Sequence, residues 1–338
     1  MTQENGRQLN LAADMYGCPN RCRHCWIGHM PNTPMPEGSD RRIVDFFSPF
    51  FGKIAFYSWL REPDYCEDYR GRWFRDLAVS KNAKPQRYEL ASFYRIVRDE
   101  RYIPFLKEVG VKKVQLTFFG LEATQDRYVG RKGAFREVMR ATDLLVRNGI
   151  VPRWQCFLNE ENTGEILRLQ ALAEEKKRSE CPGLEFFVHE GSCDGENRKL
   201  YPVRIRKSHI PEVLIPVYYG YDKLLTEQEC VERLRDLDEH PVFLPEGDLT
   251  LYISNTFDVF YNLTHMTAPW AIGSLLTERP EALVRRILDG DTPALRRAAR
   301  VTWADLSRRF GNSASQRAFS LEDYRMYLFN AYLEQPAP

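Results

Sequence analysis

Three cysteines, Cys18, Cys22 and Cys25, stand within eight residues in the stretch YGCPNRCRHCWIG, spaced C-x3-C-x2-C. Three thiolates this close can converge on a metal if the loop between them curls, and Gly17, Pro19 and Asn20 favour irregular backbone. A fully enclosed 4Fe-4S cluster takes four cysteines, so a three-cysteine loop leaves one iron open to a substrate or cofactor. Zinc is the equal alternative, because His24 or His29 would complete a Cys3His site from ligands that also suit that ion. The remaining cysteines, Cys66, Cys156, Cys181, Cys193 and Cys230, are scattered singly. In a reducing compartment they need no disulfide partners and serve as small buried apolar residues.

The frame that must hold such a loop is large. The chain has 338 residues, 43% hydrophobic and 13% aromatic, enough for one large domain or two. Its 48 basic and 47 acidic residues nearly cancel, so no global field points to nucleic acid or an anionic membrane. The apolar runs are too short to span a bilayer, and the start MTQENGRQ lacks the pattern of an export signal, so a cytoplasmic location is expected.

Along the chain, apolar runs of strand length alternate with helical periodicity. Strands are expected at LNLAADM, at 53–60, at 88–97 (YELASFYRIV), at 111–120, at 151–158 and at 184–189. Helices are expected at 102–109, across GAFREVMRATDLLVRNG and at 164–177. In the second of these, Phe135, Val138, Met139, Thr142 and Leu145 share one face and Gly149 ends it. This alternation predicts parallel pairing with right-handed crossovers, and ligands at the carboxyl ends of the strands.

The chain here resembles the radical SAM superfamily, over roughly residues 9 to 190. The cysteine loop follows the first strand. In FYSWLREPDY, Arg61, Glu62 and Pro63 take the place of the family's Gly-Gly-Glu-Pro motif, with Leu60 and Arg61 where the glycines would be. The stretch from Gln115 to Ile150 looks like the family's fourth strand and following helix. The resemblance implies an α/β partial (β/α)6 TIM-like barrel. It also implies a 4Fe-4S cluster on Cys18, Cys22 and Cys25, whose open iron chelates S-adenosylmethionine.

The same resemblance implies further contacts. Glu62 would accept a hydrogen bond from the methionine amino group, and Thr117 falls where a ribose-contacting serine is frequent, while Phe119 replaces a common aspartate. Arg95, on the expected third strand, and Arg131 compete as partners of the methionine carboxylate. Gln155 and Asn159 are candidates for the adenosine hydroxyls, or for plain strand-end capping. His24 stands where an aromatic packs near adenine. His189 and Glu190 face the expected opening, although His189 also reads as a core histidine.

The expected domains are 1–195, the barrel core; 196–240, a linker and helical region; and 241–338, a smaller α+β domain. This last part resembles a SPASM/twitch-like auxiliary domain, but residues 231–338 contain no cysteine. The implied function is S-adenosylmethionine cleavage to a 5'-deoxyadenosyl radical that abstracts hydrogen from a small polar metabolite. An electron donor such as flavodoxin or ferredoxin would supply the reducing electron. Without a second cysteine cluster a redox-neutral outcome is favoured, or quenching by a thiol, for which Cys193 is best placed and Cys156 second. Two alternatives stand: a peptide-modifying, epimerase-like enzyme of the same family, and a Cys3His zinc RNA-binding module, which lacks the basic footprint such a module needs.

Overall fold

The computed structural model describes residues 4–87, 89–193, 195–216, 223–242, 247–262 and 266–335. Residues 1–3, the first of the MTQENGRQ stretch, and Tyr88 at the head of the expected third strand lie outside them. In chain order the first elements are β1 (Glu4–Ala13), α1 (Ser39–Phe47), β2 (Phe51–Tyr57), α2 (Tyr69–Val79), α3 (Phe93–Ile96) and α4 (Tyr102–Glu108). Next come β3 (Lys113–Phe118), α5 (Glu122–Val129), α6 (Ala134–Arg147), β4 (Val151–Phe157), α7 (Thr163–Ser179) and β5 (Glu185–His189). The remainder holds β6 (Leu225–Thr226), α8 (Glu227–Leu234), β7 (Leu249–Ile253), β8 (Asp258–Tyr261) and β9 (Gly273–Ser274). It closes with α9 (Pro280–Leu288), α10 (Pro293–Ala298), α11 (Trp303–Phe310), β10 (Ala318–Phe319) and α12 (Leu321–Leu333).

Two compact units are assembled from separate stretches of chain: residues 1–19, 27–87 and 241–300 make one, and 20–26, 88–240 and 301–338 the other. The expected C-terminal segment therefore contributes to both. In the first unit the sheet order is β2-β1-β7-β8-β9, with β1 parallel to both of its neighbours and β7-β8 an antiparallel hairpin. Leu9, Leu11 and Ala13 alternate into the core from β1, and Leu249, Leu251 and Ile253 from β7. Helices α1 and α9 close that core with Ile43, Val44, Phe47, Leu283, Val284 and Ile287.

In the second unit β3, β4 and β5 form a parallel sheet in that order. Helix α6 lays Val138, Ala141, Thr142 and Leu145 against it, and the Trp154 indole N–H donates to Thr142 Oγ1 at 3.1 Å. Phe135 and Met139 sit only half-buried at the margin of that face. A short antiparallel pair, β6 with β10, is joined by α8, α11 and α12. The parallel strands and crossover helices are those of a partial TIM-like α/β fold.

One expected strand is absent. Residues 89–97 form a turn and the short α3, because Ser92 caps a helix: its Oγ accepts from Arg95 N at 3.2 Å and its carbonyl from Ile96 N at 2.9 Å. Only the Gln115 N to Glu89 O bond, 2.8 Å, is left of a strand contact there. Arg95 therefore stands on a helix and not on a strand. No described helix is long and apolar enough to cross a membrane.

Candidate functional site

The cysteine loop is pinned by its backbone. In the first unit Cys18 is gripped by the Asn32 side chain, which accepts from Cys18 N at 3.1 Å and donates to Cys18 O at 2.8 Å. Gly17, at φ +88°, has no room for a Cβ, which would collide with Asn32 Oδ1. Arg61 anchors the chain just before Asn32 by donating to Met30 O and Pro31 O at 2.8 and 3.1 Å. It also makes a bidentate pair with Asp14 at the end of β1, at 3.0 and 2.8 Å. Arg61 thus gives a structural role to the position where the family's glycine is missing.

In the second unit residues 20–26 lie along the end of α5. Arg21 N donates to Val129 O at 3.0 Å and Arg23 N to Tyr128 O at 2.8 Å, with the Arg23 guanidinium 4.9 Å from the Tyr128 ring centre. A turn joins Cys25 N to Cys22 O at 3.1 Å, and Glu196 N donates to Cys25 O at 2.7 Å. Arg131 Nε donates to Asn20 Oδ1 of this loop at 2.9 Å and Nη1 pairs with Glu137 of α6 at 2.6 Å, while its buried Nη2 has no hydrogen-bond partner among the described residues. Arg95 of α3 lies 4.0 Å from Asp99, which stands between α3 and α4. All three loop cysteines are partly exposed and outside any disulfide, and thiolate donors of this kind fit an iron-sulfur cluster. Among the described residues no three His, Cys, Asp or Glu side chains are gathered into a finished metal cage.

The carboxyl ends of β3, β4 and β5 open on a cavity of about 460 Å³. Its aromatic wall is His24, Phe119, Phe157 and Tyr128, with His24 and Phe119 ring centres 4.2 Å apart and Phe119 stacked on both other rings. Burial holds the His24 ring neutral, with its pKa near 3. Asn162 Nδ2 fastens two strand ends by donating to Phe119 O and Phe157 O, each at 2.7 Å. Asn159 belongs to the wall and is internally satisfied: it donates to Tyr128 Oη at 3.0 Å and accepts from Glu161 N at 2.9 Å.

The opposite wall comes from the 3-10 run Gly195–Val203, from Arg204 and from Tyr327 of α12. Cys193 lines the cavity, and Arg204 Nη1 donates to its Sγ at 3.2 Å. Arg204 Nε donates to Ala318 O at 2.6 Å, and its Nη2 lies 3.7 Å from Asp323. His189 Nδ1 accepts from Gly191 N at 2.9 Å, and burial first, then Arg204, lowers its pKa to about 4. The Glu190 side chain is fully buried, and burial pushes its pKa up to about 7.

Other expected site residues lie elsewhere. Cys156 is fully buried inside β4, where burial raises its thiol pKa well above the ordinary value. Gln155 accepts from Gln115 Nε2 at 2.6 Å on the sheet, and Thr117 O accepts from Gln125 Nε2 at 2.9 Å. Glu62 lines a separate cavity of about 270 Å³ in the first unit, with Tyr16, Trp59, Cys66 and Arg72. Sequence reasoning missed Asp14, Arg204 and Tyr327, whose roles depend on contacts distant in the chain. It also missed Asn162, whose position just before α7 was a legible signal.

Comparison with known proteins agrees with this arrangement. Residues 14–159 match the family model described as the radical SAM superfamily. The chain is 26% identical over 165 residues to an Fe-coproporphyrin III synthase of Methanosarcina barkeri (strain Fusaro / DSM 804), a match covering 47% of this chain and 39% of that relative's length. The solved structure "Native anSMEcpe with bound AdoMet" has a similar fold, with a TM-score of 0.50 at 10% identity over 96% of each chain. A second, "Native anSMEcpe with bound AdoMet and Cp18Cys peptide", matches with a TM-score of 0.50 at 12% identity over 96% of each chain. The family implies a 4Fe-4S cluster and S-adenosylmethionine, the two groups that the resemblance had implied. The likeness to the radical SAM superfamily thus rests on residues 14–159, somewhat under half of the chain.

Proposed function

We propose that this protein is a radical S-adenosylmethionine enzyme acting on a small polar metabolite. The carrying observation is local: His24, next to Cys25 in the cysteine loop, forms part of the same cavity wall as Asn159, Glu190 and Cys193. The wall is largely aromatic and apolar with a few polar groups, the lining of a small-molecule site. Cys18, Cys22 and Cys25 would hold the cluster, and Glu62 would accept from the methionine ammonium. When bound, these groups supply a 5'-deoxyadenosyl radical that abstracts hydrogen. The chain supplies orientation and exclusion of water through the aromatic wall and α12.

After abstraction a redox-neutral rearrangement or addition is favoured. The other outcome is hydrogen donation by Cys193: the S–H bond breaks, a C–H bond forms, and the sulfur radical then takes a proton and an electron from the flavodoxin- or ferredoxin-type donor. Cys156 is sealed from the cavity and is the lesser candidate. A peptide substrate is the second reading, favoured by the similar fold whose printed name includes a bound peptide. In that case a single side chain enters the chamber.

The test is anaerobic reconstitution with iron and sulfide. The brown chromophore forms in the parent protein, and Cys18→Ala, Cys22→Ala or Cys25→Ala each abolish it, since two thiolates do not hold a cluster. Reduction with S-adenosylmethionine present yields 5'-deoxyadenosine. A triple-alanine protein with full iron content overturns the proposal. In deuterium oxide with its true substrate, Cys193→Ala loses label at the reacting carbon if the thiol is the donor, and a product two hydrogens lighter excludes the redox-neutral outcome.

A further inference from the structure

We propose that Glu190 is the anchor for a cationic amino group on the substrate, and that the chamber takes a small primary amine with an apolar or aromatic body. The inference deepens the proposed function and rests on it for the word substrate. The charge accounting of the cavity wall carries it. Arg198 is paired with Glu334, while Arg204 Nη2 lies 3.7 Å from Asp323 and the Arg204 charge also acts on Glu190, so three carboxyls share two arginines. Glu190 is the carboxyl left over. Its two oxygens are buried and have no hydrogen-bond partner among the described residues.

The neighbouring groups do not fill that role. His189 Nδ1 lies 4.0 Å from Glu190 Oε2, but it already accepts from Gly191 N and offers no proton in that direction. Arg204 spends Nε on Ala318 O and Nη1 on Cys193 Sγ, and its Nη2, 3.7 Å from Asp323, makes no hydrogen bond to Glu190. A buried carboxylate without a donor is costly, and the cost is removed when a ligand brings a positive charge with N–H groups. The remaining wall suits the rest of such a ligand: Phe119, Phe157 and Tyr128 on one side, and Tyr327 and Tyr201, stacked at 5.0 Å, on the other. Aromatic faces also attract an ammonium group on its way to the carboxylate. Asn159 and Ser192 are already occupied, Ser192 Oγ accepting from Asn197 Nδ2 at 2.7 Å, so no second strong polar anchor is on offer.

The experiment is calorimetric titration of the reconstituted holoprotein under anaerobic conditions with 2-phenylethylamine as probe, and with 3-phenylpropionate as its anionic counterpart. The amine binds saturably and the acid does not. Glu190→Gln weakens amine binding by roughly tenfold or more, the worth of a buried charge-assisted hydrogen bond. A measurement on the parent protein alone guards against a variant that fails to fold. Between pH 8 and pH 6 amine affinity falls as Glu190 takes up a proton, while the probe stays protonated and His189 stays neutral. Arg204 and Asp323 are the other charged groups facing the carboxyl.

Equal amine binding by parent and Glu190→Gln, equal binding of the acid, or no saturable amine binding each overturns the proposal. S-adenosylmethionine is titrated in parallel. If Glu190→Gln loses cofactor binding to the same extent, and the cofactor competes with the amine, Glu190 is a cofactor contact and the proposal fails. Absence of iron or of cofactor binding in the parent protein would instead defeat the functional reading, whatever the amine does.

Discussion

Replacing Arg61 with Met tests how the cysteine loop is held. The Arg61 and Asp14 side chains are 7% and 1% exposed, so the pair is buried. The substitution leaves the Asp14 carboxylate in place without its two guanidinium donors, and strips the Met30 and Pro31 carbonyls of theirs. Stranding one partner of a buried pair costs about 3–5 kcal/mol. The Pro31 bond is solvent-exposed and water can replace it, which places the expected loss near the lower end, about 3 kcal/mol. Urea unfolding followed by circular dichroism reads the loss, and iron content after reconstitution reads the effect on the loop around Cys18. Arg75→Ala is the control, because the Arg75–Asp68 pair is 49% and 64% exposed and is worth at most about 1 kcal/mol. The double variant Arg61→Met, Asp14→Leu should recover much of the stability, since an apolar pair removes the stranded charge. A loss under about 1 kcal/mol for Arg61→Met, or a double variant no more stable than the single one, refutes the reasoning.

Further outcomes follow from other residues. Glu62→Gln should weaken S-adenosylmethionine binding by roughly 1.5–3 kcal/mol with the cluster intact, measured by calorimetry; unchanged affinity makes Glu62 a structural residue. Gly130→Ala should destabilise the protein by about 1–3 kcal/mol, because φ is +70° and a Cβ would lie 2.6 Å from Arg21 O; an unchanged melting temperature counts against a tight loop there. Glu190 sets a pH dependence: its folded pKa is raised to about 7, so its stabilising protonated state is fully present below the ordinary carboxyl range and lost as pH rises through 7. Parent stability should therefore fall by roughly 3 kcal/mol relative to Glu190→Gln between pH 4 and pH 8, and parallel pH profiles would deny the buried carboxyl.

The parts of the fold that were legible rest on local pattern. Leu9, Leu11 and Ala13, and Val114, Leu116 and Phe118, alternate as half-buried strands should, and α6 shows its apolar face in the spacing of Val138, Thr142 and Leu145. The run 88–97 misled because its apolar content suits a strand, while Ser92 supplies a helix cap that outweighs that preference. Helix α5 was not separated from its neighbour, although Gly130, left-handed at φ 70°, marks its end. The spacing of Cys18, Cys22 and Cys25 marked a metal-binding loop but left cluster and zinc equal, and the order of the motifs that follow it is what favoured the cluster. The cavity was legible only in part: His24, Asn159, Glu190 and Cys193 come from loops and strand ends already suspected, but Tyr327 and Asp323 arrive from α12, more than a hundred residues away.

Around both cavities the carboxyls outnumber the arginines they face, and the second differs in that neither oxygen of its extra carboxyl, Glu190, has a hydrogen-bond partner among the described residues. In the first unit Arg72 is held by Asp40 and by Asp76, the latter at 3.0 Å, and Arg87 is held by Asp64. There Glu62, Asp64 and Asp76 face Arg72 and Arg87, so every arginine of that wall has its acid and Glu62 is the acid beyond these pairs. In the second unit the same accounting satisfies Arg198 and Arg204 and leaves Glu190 in surplus. Packing does not explain a surplus carboxyl, because an apolar side chain of similar volume would fill the position without desolvating an acid. A chamber beside the cysteine loop that carries one unbalanced negative charge is complementary to one positive charge, and the aromatic wall leaves little else in it that could select a polar substrate.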